Sequence, residues 1–165
     1  MRITEWIRGK SKLAVNASKP PDLQKKLSPP EPSSSKSNAS PSGKKENATI
    51  LLVDDDEDLR ESGAALLRLS DYRVEVAKNG AEGLATYAAK RIDLVVSDLH
   101  MPELDGLGLL MAIKKLDQNA KVIIASAEAN DEEIGKALNA GALAILRKPY
   151  GPKELDDAIA RGLSS

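Results

Sequence analysis

The stretch ILLVDDDEDLR, residues 50 to 60, runs an apolar segment straight into five consecutive carboxylates. Like charges at this spacing raise one another's pKa unless a cation or a helix dipole offsets them. Two uses compete: a solvated acidic turn that opens a helix, and a cation site. An EF-hand loop is excluded, since Leu59 stands where that loop needs Gly and Ala65 where it needs Glu. Three more polar side chains end other short apolar runs: Asp98 in VVSDLHMPELDG, Ser126 in VIIASAEA and Lys148 in AILRKPY. Together these types allow phosphoryl transfer to a carboxylate. Mg²⁺ takes oxygen ligands and keeps several waters, so two or three carboxylates and one backbone carbonyl satisfy it. An aspartate then attacks phosphorus in line, while an ammonium and a hydroxyl share the charge on the equatorial oxygens. Lys148 and Ser126 supply the last two.

Such a site needs a frame that brings distant residues together. After Asn47 the punctuation is regular, with apolar runs at 50–53, 74–77, 94–96, 122–125 and 144–146. Each is followed by helical periodicity: Leu59, Leu66, Leu67 and Leu69; Leu84 and Tyr87; Leu109, Leu110 and Ile113; Ile134 and Leu138; Leu155 and Ile159. Strands that are apolar at consecutive positions are covered on both faces, so the expected class is α/β, a doubly wound parallel sheet of five strands. In such sheets ligands gather at the carboxyl ends of the strands, where Asp54 to Asp56, Asp98, Ser126 and Lys148 all fall.

These residues carry a resemblance. Through LLVDDDEDLR, SDLHMPELDG, SAEA and KPY, in that order, the chain from about Thr49 to Leu163 resembles the receiver domain of bacterial two-component response regulators. The resemblance implies a flavodoxin-like (βα)5 fold with strand order 2-1-3-4-5. It implies Asp98 as phosphoacceptor, Asp54 and Asp55 with Asp98 around Mg²⁺, and the backbone carbonyl of His100 as a further ligand. Ser126 becomes the switch hydroxyl and Lys148 the phosphoryl contact, while Asp56, Glu57 and Asp58 belong to the turn and helix start. It also puts His100 and Glu128 beside the route of a hydrolytic water. The implied donor is a phosphohistidine on a sensor histidine kinase or phosphotransfer protein, and the implied output is altered binding of a downstream effector. Ile145 stands where many relatives have Tyr or Phe, so an aliphatic repacking, or no coupled rotation, is expected in the switch.

Taken one at a time the signals are weak. An acidic run is commonly a solvated loop, Lys148 before Pro149 an ordinary turn residue, Ser126 a capping hydroxyl, and Asp105 a helix cap. His100 is the lone histidine, and with no cysteine in the chain its side chain is a poor metal ligand candidate. A haloacid-dehalogenase-type phosphatase would use Asp54 and Asp56 as its Asp-x-Asp pair, but leaves Asp98 idle and lacks a later acidic pair at a strand end. A phosphorylation-independent interaction module of the same fold is the other alternative.

The 165 residues divide by charge as well as by pattern. Residues 1–47 hold ten of the 24 Lys and Arg and four of the 25 Asp and Glu; the remaining fourteen and twenty-one lie in 48–165. Neither part reads as a DNA-binding domain, the longer one being acidic and the shorter lacking a recognition helix. Residues 19–47, rich in Pro and Ser, read as a disordered linker. Residues 2–15 form a candidate short amphipathic helix for a membrane surface or an acidic partner, though Gly9 and Lys10 favour a frayed tail. No apolar run reaches transmembrane length, and the absence of cysteine fits a cytoplasmic location. The organisation expected is a basic extension over 1–47 and a receiver domain over 48–165, with no output domain of its own.

Overall fold

The computed structural model describes residues 48–165. The linker over 19–47 and the amphipathic stretch over 2–15 lie outside the described residues. Five strands alternate with five helices: β1 Thr49–Val53, α1 Glu57–Leu69, β2 Arg73–Ala77, α2 Gly80–Ala89, β3 Leu94–Asp98, α3 Gly106–Leu116, β4 Val122–Ser126, α4 Asp131–Asn139, β5 Ala144–Arg147 and α5 Pro152–Ser164. All pairings are parallel, and the sheet order is β2-β1-β3-β4-β5. The fold is flavodoxin-like, as expected.

The apolar runs explain the layering. β1, β3 and β4 are almost wholly buried, whereas β2 and β5 are edges with partly exposed residues. Alternate strand residues feed two cores. Ile50, Leu52, Val96 and Ile123 pack with Leu67 of α1 and with Leu155 and Ile159 of α5. Leu51, Val53, Val95 and Ile124 pack with Leu109, Leu110 and Ile113 of α3 and Ala137 of α4. Each fully buried aliphatic side chain contributes about 1.5–3 kcal/mol. Leu59 and Leu69, expected on the inner face of α1, are instead exposed. That helix is seated through Gly63, Ala64 and Leu67, because a close approach to β1 favours small residues over a leucine stripe.

Helix starts follow from short polar side chains. Asp56, Asn79, Asp105 and Asn130 each accept a hydrogen bond from the backbone N–H three residues on, a contribution of about 1 kcal/mol apiece. The β1 acid run is therefore divided in its use. Asp56 caps α1, and Glu57 and Asp58 occupy its first turn, where the dipole favours anions. Asp54 and Asp55 are left for the strand end.

No helix among the described residues is long and apolar enough to cross a membrane.

Candidate functional site

Four strands deliver the site. β1 ends one residue before Asp54, which is 4% exposed; Asp55 beside it is open to solvent. β3 ends on Asp98, and the register pairs it with Ala125, one residue before the buried Ser126. β5 ends one residue before Lys148, whose backbone N–H donates to the Ser126 carbonyl at 2.8 Å. The parallel arrangement puts all these ends on one rim, which no sequence proximity could do.

The side chains converge there. Lys148 Nζ donates to Asp54 Oδ2 at 2.7 Å and lies 3.3 Å from Asp98 Oδ1. Asp54, Asp55 and Asp98 each offer an oxygen, all within 4.8 Å of one another. Fixed dipoles hold the carboxylates in place: Asp54 Oδ1 accepts from the Asp56 backbone N–H at 3.0 Å, and Asp98 Oδ1 from that of Leu99 at 2.9 Å. Ser126 Oγ accepts from the Glu128 N–H at 3.3 Å.

One ammonium faces three carboxylates, so the pocket is anionic. Burial raises the Asp98 pKa above the ordinary carboxylate value; Lys148 pulls it back in part, and the Asp54 charge pushes it up again. Burial works against the Lys148 ammonium, yet the bond to Asp54 and the charges of Asp98 and Asp54 outweigh it, and its pKa lies above the usual lysine value. Three oxygens at this spacing suit a hard divalent cation that keeps part of its water shell.

Sequence reasoning brought Asp54, Asp55, Asp98 and Lys148 to one place, and the structure gathers them there. Ser126 lies at the end of the neighbouring strand. Ile145 is half-buried and packs on the side of the sheet covered by α2, α3 and α4. The exposed ring of His100 has Nε2 at 2.9 Å from Glu133 Oε1 on α4. Asp56 spends its carboxylate on the α1 cap, which removes it from any Asp-x-Asp pair with Asp54.

Two supporting residues were missed. Arg60 reaches back from α1 to donate to the Asp54 backbone carbonyl at 2.8 Å, pinning the turn that presents the acid pair. Its position one turn into the helix was the available signal. Gly106, after the Asp105 cap, lies directly against the end of β3: a Cβ there would stand 2.1 Å from the Asp98 carbonyl oxygen. Gly106→Ala must therefore displace backbone at the site, and is expected to cost about 2 kcal/mol. Urea unfolding checks it, and an unchanged midpoint would show that the loop relaxes freely.

A separate cleft of about 860 Å³ opens among the amino ends of the strands, lined in part by Thr49, Arg73, Asp93, Asp117 and Lys121. Its charges are mixed and it gathers no carboxylate cluster, so size here does not mark the chemistry.

Residues 50–160 match the model of the response regulator receiver domain. The chain belongs to that family. As a receiver domain it is a phosphoacceptor rather than a turnover enzyme, a component of two-component signalling. It is 38% identical over 106 residues to the transcriptional regulatory protein PrrA of Mycobacterium tuberculosis, a match spanning 64% of this chain and 46% of that one. The chain thus spans about half the length of that relative. Among solved structures, a CheY-like receiver domain protein of Methanospirillum hungatei superposes with a TM-score of 0.69 at 34% identity, covering 71% of this receiver chain and 94% of that one. The CheX–CheY–BeF3–Mg²⁺ complex of Borrelia burgdorferi gives 0.67 at 26% identity, covering 69% and 87%.

Proposed function

We propose that this receiver accepts a phosphoryl group on Asp98 from a phosphohistidine of a sensor histidine kinase or phosphotransfer protein, in a Mg²⁺-dependent reaction. The observation that carries the proposal is the meeting of Asp54, Asp55 and Asp98 beside a Lys148 ammonium shared by two of them. Asp54, Asp55, Asp98 and the backbone carbonyl of His100 would hold the cation. When bound, Mg²⁺ supplies charge neutralisation at the transferring phosphoryl oxygens.

The chain's own residues do the rest. An Asp98 oxygen forms the new bond to phosphorus as the bond to the donor's nitrogen breaks, and the electron pair leaves with the imidazole. Lys148 stays protonated and takes one equatorial oxygen; the Ser126 hydroxyl donates to another. The bond Ser126 Oγ accepts from the Glu128 N–H at 3.3 Å uses an oxygen lone pair and not the hydroxyl proton, so it does not compete with that donation. The resulting dianion biases packing around α4, β5 and α5. With Ile145 in β5, half-buried and aliphatic, the change is a repacking and not the burial of a ring.

Output through a separate effector protein, and a cytoplasmic location, belong to the same proposal. So does the organisation into a basic extension over 1–47 and a receiver over 48–165, with residues 1–15 as a weak contact for a membrane surface or acidic partner.

The test is incubation with a small phosphodonor, with Mg²⁺ or with a chelator, followed by intact mass. A phosphoryl increment that needs the metal is expected; none in either buffer would favour an interaction module independent of phosphate. Mg²⁺ should also stabilise the fold by mass action, by about 2.7 kcal/mol at a hundred times its Kd. Thermal melts across a Mg²⁺ series check this, and a flat series would leave the carboxylates without a cation. Phosphotransfer profiling identifies the kinase.

A further inference from the structure

We propose that Glu133 is a positioning residue that straps the first turn of α4 to the acceptor loop through His100, so that the state of Asp98 is felt directly at α4. The inference rests on Asp98 being the phosphoacceptor.

The strap is continuous. The Leu99 N–H is shared between Asp98 Oδ1 at 2.9 Å and the Ala125 carbonyl of β4 at 3.0 Å. Any change of charge or bonding at Asp98 alters one arm of that fork. Leu99 and Met101 are both buried, anchoring the backbone on either side of His100. Held this way, His100 transmits a displacement of the loop to its ring instead of absorbing it. The ring Nε2–H donates to Glu133 Oε1 at 2.9 Å. Glu133 Oε2 in turn accepts from the Asn130 N–H at 3.0 Å, and the Glu133 N–H donates to Asn130 Oδ1 at 2.9 Å, closing the capping box of α4.

The receiving element is suited to respond. Among the nine residues of α4 only Ala137 is fully buried. A helix seated by so little apolar area depends on the polar ties of its first turn, and a two-state element of that kind is easily biased. One carboxylate therefore serves two ends: it closes the cap, and it carries the loop's position into the cap.

Amide chemical shifts test this, using beryllofluoride with Mg²⁺ as the phosphoryl probe on the full chain. Shifts of the Asp55 and Asp56 amides report occupancy of the site; shifts of Asp131 and Glu132 report α4. In the wild type both sets move. In Glu133→Ala the α4 response per occupied site is expected to fall to roughly half or less. Asn130→Ala, which opens the capping box but leaves His100 and Glu133 in contact, should keep it. His100→Ala should reproduce the loss, and the double variant should lose no more than either single one, because both residues act through one contact. An α4 response that survives in Glu133→Ala, or that Asn130→Ala removes equally, overturns the strap. If the Asp55 and Asp56 amides stay still in the wild type, the phosphoacceptor reading falls first and takes the strap with it.

Discussion

Asp98→Asn is expected to abolish phosphoryl incorporation and, in metal-free buffer near neutral pH, to make the protein more stable than wild type. The first effect follows from chemistry: a carboxamide has no nucleophilic oxyanion, and no other carboxylate ends β3. The second follows from electrostatics. Burial, reinforced by Asp54, raises the Asp98 pKa in the folded protein. A carboxyl with a raised folded pKa lends its full stability below the unfolded value, about 4, and loses it as pH rises through the folded value. At neutral pH the metal-free wild type therefore bears the cost of an ionised Asp98, which Asn avoids while filling the same space. Saturating Mg²⁺ should shrink or reverse the difference, because the cation uses the charge that Asn lacks. Intact mass and thermal melts, each with and without chelator, measure both effects. A phosphoryl increment that persists would move the acceptor elsewhere, and equal melting temperatures across acid to neutral pH would show that Asp98 is not strained by its neighbours.

Lys148→Ala should be the more damaging change to the fold. The ammonium is largely buried, at 13% exposure, between Asp54 at 2.7 Å and Asp98 at 3.3 Å. Removing one partner of a buried ion pair leaves the other charge desolvated and uncompensated, typically at about 3 kcal/mol or more. Here the partial exposure of Asp98 places the expectation near the low end, and Mg²⁺ should recover part of it by taking over as counter-charge. The raised pKa of Lys148 means its stabilising charge is complete below the ordinary lysine range and is lost only as pH climbs past the folded value. The ammonium is thus available throughout the neutral range. Loss of a preorganised donor to a transferring group costs on the order of 100-fold in rate. Initial rates of phosphorylation from a small phosphodonor should fall by about that factor even at saturating Mg²⁺. Rates equal to wild type would show that Lys148 serves only the resting pocket. Arginine is not expected to restore the rate, since a planar fork cannot replace a compact point charge wedged between two carboxylates.

The two uses of the acidic run show how far local reasoning reaches. Asp56 was legible as a turn residue and Asp54 as a strand-end acid because helix capping and strand termination depend on the nearest few residues. The same is true of the Asp105 cap of α3. The burial of α1 was less legible. Leu59 and Leu69 fit a helical stripe yet face solvent, since the contact with β1 is close enough to demand Gly63 and Ala64. Periodicity counts apolar residues; it does not measure the gap between a helix and a sheet.

Arg60 and Gly106 escaped notice for the related reason that their partners are backbone oxygens, which carry no residue identity to match. The contact of His100 with Glu133 spans 33 positions and joins a loop to a helix packed beside it. By itself, then, the sequence determined the alternation of strands and helices, the turn at Asp56, the Asp105 cap and which polar side chains follow the apolar runs, because hydrophobic period and capping chemistry are written in neighbouring residues. Only the tertiary structure decided that Lys148 divides its ammonium between Asp54 and Asp98, and that His100 after β3 meets Glu133 of α4. Those distances depend on how separate elements pack, and packing is a property of the whole arrangement.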